Sequence, residues 1–130
     1  MKIASIDHFV LTVVSIEQTC EFYGRALGMQ VQIFGTPGTP RTALVFGTQK
    51  INLHQLDCVP DPNVLKPSPG SADFCLIAAT PIAEVIAHLQ ELTIPIIEGP
   101  IRRTGAIGAI ESIYIRDPDL NLVEIANYAN

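Results

Sequence analysis

Apolar and polar residues follow strand spacing, then helix spacing, then strand spacing again, and this order occurs twice along the chain. In the first half, Ile6 to Val14 is short and rich in β-branched residues, which predicts a largely buried strand. Apolar residues then recur at helical spacing, with Ser15 and Gln18 at the distance of a capping box and Gly28 as a stop. Further strands are predicted at residues 30–34, 42–46 and 50–55, with a turn-rich break at 35–40.

The second half repeats this order. A strand is predicted at 73–79, and Thr80 followed by Pro81 predicts the N-cap and first position of a helix that reaches Leu92. Three more strands are predicted at 94–97, 109–115 and 122–128. Prolines at positions 60, 62, 67 and 69 exclude a helix or central strand between the halves. The repeat therefore predicts an α+β fold in one domain, residues 1–130, with module one at about 3–56, a linker at 57–70 and module two at about 71–130.

Composition limits the classes of partner. The chain has a formal net charge of -5 and 8 basic residues, so we expect no nucleic-acid partner. It has no apolar run of membrane-spanning length and no signal-like start, so we expect neither a membrane span nor secretion. The three cysteines have no C-x-x-C spacing, which favours a reducing compartment, and a cytoplasmic location is the default expectation.

Polar side chains fall at matching points of the two halves. The repeat pairs His8 with Asp73 and His54 with Glu124, which gives four side chains of the metal-ligand type on the first and last strands of both halves. Imidazole and carboxylate groups in an apolar shell are costly unless they are paired, so the pattern predicts a site. Taken alone, a histidine such as His8 beside an apolar strand is more often a hydrogen-bonded core or edge residue than a ligand, and Asp73 fits a turn cap as well as a ligand.

Three segments carry a family resemblance: Ile6–Val13, Glu21–Met29 and Arg116–Glu124. They resemble the opening strand, the helix end and the DPDGN-type ending of the vicinal oxygen chelate superfamily. This superfamily includes glyoxalase I, fosfomycin-modifying enzymes, bleomycin-resistance proteins and extradiol dioxygenases. The resemblance covers nearly the whole chain and implies two tandem βαβββ modules that form a curved mixed sheet around a cleft, often completed in a homodimer.

The resemblance also implies a divalent metal ion, such as Zn, Ni, Mn or Fe, on the strands that carry His8, His54, Asp73 and Glu124. Glyoxalase I usually has a carboxylate at the position of His54 and a histidine at that of Asp73, so the two ligand types are exchanged here. In glyoxalase-like chemistry, Glu124 or Asp73 would be the catalytic base that moves a proton at carbon.

Substrate binding is predicted at Arg102, Arg103 and Tyr114. One guanidinium would hold a carboxylate or phosphate, and the phenol would donate a hydrogen bond. A solvated hairpin with two surface arginines and a rim aromatic explains the same residues.

The function that follows is a small-molecule metalloenzyme of the glyoxalase-like lyase or isomerase type. The alternatives are an Fe(II) extradiol-type dioxygenase using His8, His54 and Glu124, and a metal-free ligand-binding protein like those of bleomycin resistance.

Overall fold

The computed structural model describes residues 1–129, and the chain divides into two compact units, Met1–Gly70 and Ser71–Asn130. Each unit has the order βαβββ and contains one four-stranded mixed sheet. The predicted α+β fold with two repeated modules is therefore confirmed. None of the helices found within residues 1–129 is long and apolar enough to cross a membrane.

In the first unit, β1 and β4 are parallel neighbours and the other pairings are antiparallel, in the order β1-β4-β3-β2. The Ser15 hydroxyl accepts a hydrogen bond from the Gln18 N–H at 3.1 Å, and Gly28 ends the helix at φ 69°, so both predicted helix signals are confirmed. The elements are β1 His8–Val13, α1 Ile16–Leu27, β2 Gln30–Thr36, β3 Thr39–Phe46 and β4 Gln49–Gln55.

The second unit has the same topology, in the order β5-β8-β7-β6 with β5 parallel to β8. Its elements are β5 Asp73–Ile77, α2 Ile82–Glu91, β6 Glu98–Thr104, β7 Ala109–Arg116 and β8 Leu122–Tyr128.

Three local predictions were wrong. The break at 35–40 is instead a tight hairpin, because β2 runs to Thr36 and β3 resumes at Thr39. The strand predicted at 94–97 lies at Glu98–Thr104, where the register shifts between Glu98 and Ile101 and so hides the two-residue alternation. The N-cap of α2 is Pro81 rather than Thr80, and no side chain within the helix start caps it.

In each unit, an amide side chain from the last strand caps the start of the helix. In the first unit, Gln55 Oε1 accepts from the Ile16 N–H at 3.2 Å, and the same amide donates to the Val14 carbonyl. In the second unit, Asn127 Oδ1 accepts from the Ile82 N–H at 2.6 Å, and its amide nitrogen donates to the carbonyls of residues 78 and 80. These bonds satisfy N–H groups that a helix leaves without an internal partner.

Each sheet has one apolar face and one face that carries polar side chains. Alternation puts Leu11, Ile51 and Leu53 on the apolar face of the first sheet, and Ile113, Val123 and Ile125 on that of the second; all are buried. We call the opposite faces the polar faces. The polar face of the first sheet carries His8, Thr12, Phe34, Arg41, Lys50, Asn52 and His54, and that of the second carries Asp73, Cys75, Ser112, Tyr114, Arg116 and Glu124.

Candidate functional site

The polar face of the second unit contains a cavity of about 400 Å³. This volume is in the range of sites that hold small organic molecules. Three carboxylates, two guanidinium groups and one phenol meet in it. Its lining residues are Asp73, Ile97, Glu98, Arg103, Tyr114, Arg116, Leu122 and Glu124.

Asp73 and Glu124 are diagonal neighbours on two parallel strands. Asp73 pairs with Leu122, and Glu124 lies two residues further along β8 on the same face. Two residues of rise and one strand spacing put their Cα atoms about 8 Å apart. Carboxylates at this spacing in one cavity can share a cation.

Two features hold Glu124 and Asp73 in place. The fully buried Ser112 hydroxyl donates to Glu124 Oε2 at 2.6 Å. The Asn121 side-chain oxygen accepts from the Ala72 N–H at 2.9 Å, which ties the start of β5 to the turn before β8. The Glu124 carboxylate is therefore held directly by a hydrogen bond, whereas Asp73 is positioned by the backbone at the start of β5.

The turn before β8 is built around the carboxylate of Asp117. Asp117 Oδ1 accepts from the N–H groups of Asp119 and Asn121 at 2.9 and 3.0 Å, and its Oδ2 accepts from the Asn121 amide at 2.8 Å. Within this turn Leu120 has φ 69°, in the left-handed region that favours glycine. The network around Asp117 holds the turn in this conformation.

Arg103 and Tyr114 form one polar wall of the cavity. Arg103 Nε donates to the Tyr114 hydroxyl oxygen at 3.1 Å, and its Nη2 lies 3.4 Å from Glu98 Oε1. The pKa of Arg103 is raised, mainly by the hydrogen bond to Tyr114. Because the phenol oxygen accepts from Arg103, its own proton is directed elsewhere and is available to a ligand. Of the predicted substrate-binding residues, Arg102 pairs with Glu111 and does not line the cavity.

Cys75 lies directly beside Glu124 in the β5–β8 register. Partial burial is the main cause that raises the pKa of this thiol to about 11, and the Glu124 carboxylate raises it further through its charge and a hydrogen bond. The thiol is therefore protonated at neutral pH and can act as a donor to Glu124 rather than as a nucleophile.

His8 begins β1 on the polar face of the first unit. Its Nδ1 lies 2.7 Å from Asp7 Oδ1, and its side chain is 44% exposed. A carboxylate on one ring nitrogen is the arrangement that orients a metal-binding imidazole and leaves Nε2 for the ion. The environment of His8 is therefore compatible with ligation.

His54 has a different environment. It pairs with Thr12, whereas His8 pairs with Lys50, so the two histidines are offset by four residues along parallel strands. This offset corresponds to about 13 Å along the sheet, too far for both rings of this unit to reach one ion. In addition, Arg41 Nη2 lies 3.0 Å from His54 Nε2. Burial, and then the charge of Arg41, lower the pKa of His54, so the ring is a neutral acceptor beside a cation.

Asn52 is the residue that corresponds to Glu124. It lies two residues beyond the partner of His8, just as Glu124 lies two residues beyond the partner of Asp73. The two amides that cap the helices give the same alignment, because Gln55 and Asn127 are 72 residues apart, as are Asn52 and Glu124. The equivalence of His54 with Glu124 that we inferred from the repeat is corrected by two residues.

Asn52 is 4% exposed, and its Oδ1 is a buried oxygen without a hydrogen-bond partner among the described residues. Such an atom is costly unless a ligand or water satisfies it. Sequence reasoning missed this residue because an imidazole two positions away is a more conspicuous metal ligand than an amide. Aligning the repeats on Gln55 and Asn127 identifies it, but the equivalence of these two amides is itself visible only in the structure.

Each unit thus offers a diagonal pair of donors rather than a complete metal centre. Across residues 1–129, no three His, Cys, Asp or Glu side chains are grouped so that they could hold an ion. The pairs are His8 with Asn52 in the first unit and Asp73 with Glu124 in the second. The donor chemistry of the Asp73–Glu124 pair fits a divalent ion that accepts oxygen ligands.

Comparisons with known proteins agree with the fold. The model of the Glyoxalase/Bleomycin resistance protein/Dioxygenase superfamily matches residues 5–125. The chain is 51% identical over 128 residues to Virulence protein STM3117 of Salmonella typhimurium, covering 98% of this chain and 87% of that protein. The crystal structure of that virulence protein has a TM-score of 0.95 to this chain at 50% identity, covering 99% and 100% of the two chains.

Two further relatives extend the comparison. Glyoxalase domain-containing protein RDO1 of Mycosarcoma maydis is 48% identical over 128 residues, covering 98% of this chain and 70% of that protein. Lactoylglutathione lyase from Agrobacterium tumefaciens has a TM-score of 0.72 at 23% identity, covering 97% and 95% of the two chains, and therefore shares the fold. The resemblance stated from the three sequence segments is confirmed.

Proposed function

This chain belongs to the glyoxalase/bleomycin resistance protein/dioxygenase superfamily, and from this premise we propose that it is a metal-dependent enzyme of the glyoxalase-like lyase or isomerase type that acts on a small molecule. The observation that carries the proposal is the pair of Asp73 and Glu124 in one cavity of about 400 Å³. The cavity also brings Arg103 and Tyr114 next to these carboxylates.

Asp73 and Glu124 would hold the divalent ion in the second unit, and His8 and Asn52 are the candidate ligands that the first unit offers. The pair in the second unit supplies two carboxylates and no imidazole, so it favours Mn, Fe(II) or Mg over Zn or Ni, which prefer nitrogen ligands more strongly. When bound, such an ion supplies Lewis-acid polarisation of two adjacent substrate oxygens.

The chain's own residues account for orientation and proton movement. Glu124 is held by Ser112 and is the candidate base for a proton at carbon. Tyr114 donates its phenolic proton to a substrate oxygen, since Arg103 already occupies its acceptor side. Arg103 and Arg116, both lining the cavity, bind an anionic group of the substrate.

The strand register disfavours one of the two alternative functions, and the cavity is compatible with the other. The Fe(II) dioxygenase needs two imidazoles and a carboxylate on one ion, and the strand offset between His8 and His54 disfavours that set. A metal-free binding protein would use the same cavity, whose size suits a small organic ligand.

The homodimer and the cytoplasmic location remain predictions. Sedimentation measurements test the homodimer directly.

Metal analysis tests the proposal. Full-length protein purified without chelator and incubated with Mn²⁺, Fe²⁺, Ni²⁺ or Zn²⁺ should bind the ion stoichiometrically by mass spectrometry of the metal. Glu124→Gln and Asp73→Asn should each weaken binding at least by the roughly 10- to 100-fold that loss of an outer-shell partner costs, since each removes a charged ligand.

Glu111→Gln is the matched control. Glu111 lies on β7 of the same sheet, and its side chain is on the face opposite to the one that carries Glu124. Retained binding in this variant with loss in Glu124→Gln supports the assignment. Equal affinity in all variants would contradict metal binding at the two carboxylates, and binding of a small ligand by the metal-free chain would then favour the binding protein.

A further inference from the structure

The polar face of the first unit carries a cluster of positive charge around one aromatic ring, which we call the Phe34 cluster: Phe34, Arg41, Lys50 and His54. The Lys50 ammonium lies 3.9 Å from the centre of the Phe34 ring, and the Arg41 guanidinium carbon lies 5.2 Å from it. Two cations thus contact one aromatic ring, in a chain whose formal net charge is -5.

Neither cation of the cluster is neutralised by a carboxylate of the described residues. Within residues 1–129, neither Arg41 nor Lys50 takes part in an ion pair such as those of Asp7 with His8 and Glu98 with Arg103. Two half-buried cations held near each other repel, and a bound anion would remove that repulsion. The absence of an internal carboxylate is therefore a property expected of a binding site and not of a structural ion pair.

The guanidinium is fixed in orientation. Arg41 Nη2 donates toward His54 Nε2 at 3.0 Å, and His54 is only 6% exposed. A guanidinium has five N–H donors, so this contact leaves a forked pair of N–H groups for a ligand. Arg41 also pairs directly with Phe34 in the β2–β3 register, which places the ring beside its guanidinium.

Lys50 reaches the cluster from the other end of the face. It pairs with Val45, which is four residues along β3 from Arg41, so its side chain must extend along the sheet to meet Phe34. The residue between them on this face is Ala43, which is small and fully buried. A long lysine side chain that lies in this extended arrangement loses rotamer freedom, and attraction to the ring offsets part of that cost.

We propose that the Phe34 cluster is a binding site for an oxyanion, the carboxylate or phosphate group of a small molecule, held by the forked guanidinium of Arg41 and the ammonium of Lys50. The site lies entirely in the first unit and needs no metal, so it does not depend on the proposed enzymatic activity.

Titration of the full-length, isotope-labelled chain in the presence of a chelator tests the site, with NMR signals of the Arg41 guanidinium and the His54 ring as reporters. Inorganic phosphate and succinate are the two probes, and the tighter one identifies the class of oxyanion. We expect saturable shifts with a dissociation constant on the order of 1 mM, as befits two contacts to a small ion.

Variants assign the binding to the cluster. Arg41→Gln and Lys50→Gln should each weaken binding of the better probe at least fivefold, and Lys50→Arg should restore most of it because the charge is kept. Arg25→Gln and Lys66→Gln remove the same charges from exposed positions outside the cluster and should bind as the wild type does.

Three results would overturn the site: no saturable shift with either probe, equal weakening in the Arg25 and Lys66 controls, or shifts confined to Arg103 in the second unit. If Arg41→Gln fails to fold, the Lys50 pair of variants still decides the question. Because metal is chelated throughout, failure here leaves the metal test untouched, and failure of the metal test leaves this one untouched.

Discussion

Replacing Leu120 tests whether the turn before β8 is strained by its side chain. Leu120 has φ 69°, whereas β-carbons disfavour the left-handed region by about 1 to 2 kcal/mol. Glycine removes that cost but loses about 0.5 to 1 kcal/mol through its freedom in the unfolded chain. Leu120→Gly is therefore expected to be more stable than Leu120→Ala by about 0.5 to 1 kcal/mol, which reverses the usual order of these residues.

The comparison between the two variants cancels the loss of the leucine side chain. Leu120 is 67% exposed, so only about a third of its surface is buried, and a third of the roughly 1.5 to 3 kcal/mol for a fully buried leucine is about 0.5 to 1 kcal/mol. Both variants lose this contribution equally. Leu120→Gly should then match the wild type, while Leu120→Ala should fall below it.

Thermal and urea unfolding of the three proteins measure the effect. A difference of about 0.5 to 1 kcal/mol corresponds to about 2 to 4 °C in melting temperature for a chain of this size. The slope of the urea transition should be the same in all three, since the exposed surface does not change. An alanine variant as stable as the glycine variant would refute the idea that a β-carbon at this position is costly.

Three further predictions concern the polar faces. Arg41→Met should raise the pKa of His54 only part of the way toward 6.5 in an NMR titration, because burial is the larger cause of its lowering. Since the folded-state pKa is lowered, the wild type should lose stability as the pH falls below 6.5 and through that folded-state value, and a flat profile would count against the assignment. Cys75, with a pKa of about 11, should be alkylated about a hundredfold more slowly at pH 8 than a thiol of ordinary pKa. Glu124→Gln should accelerate this alkylation, because the carboxylate contributes to the raised pKa. Alkylation is followed by mass spectrometry, and rapid labelling of Cys75 in the wild type would contradict the prediction. Because Asp73 stands where glyoxalase I usually has histidine, isomerisation of the methylglyoxal–glutathione hemithioacetal should be weak or absent, and wild-type turnover on the order of 10 s⁻¹ would refute this expectation. Asp73→His should shift metal preference toward Ni or Zn more than it changes stability.

Local chemistry in the sequence was sufficient for most elements. The capping hydroxyl of Ser15 and the left-handed Gly28 act within one helix turn, so their effect is visible from spacing alone. The repeated order of apolar patterns was likewise enough for two βαβββ modules, because each strand or helix must bury its own apolar face. The shifted register in β6 was not visible, because a bulge interrupts the alternation that identifies a strand.

The candidate site depended on strand register. The sequence determined that carboxylates and imidazoles lie on the first and last strands of each repeat, and it identified Asp73, Glu124, Arg103 and Tyr114, which line one cavity. Only the pairing of β1 with β4 decided that Asn52, and not His54, corresponds to Glu124. Residues two apart on a strand share a face, so alternation fits either choice, and only the hydrogen-bonded partner strand distinguishes them.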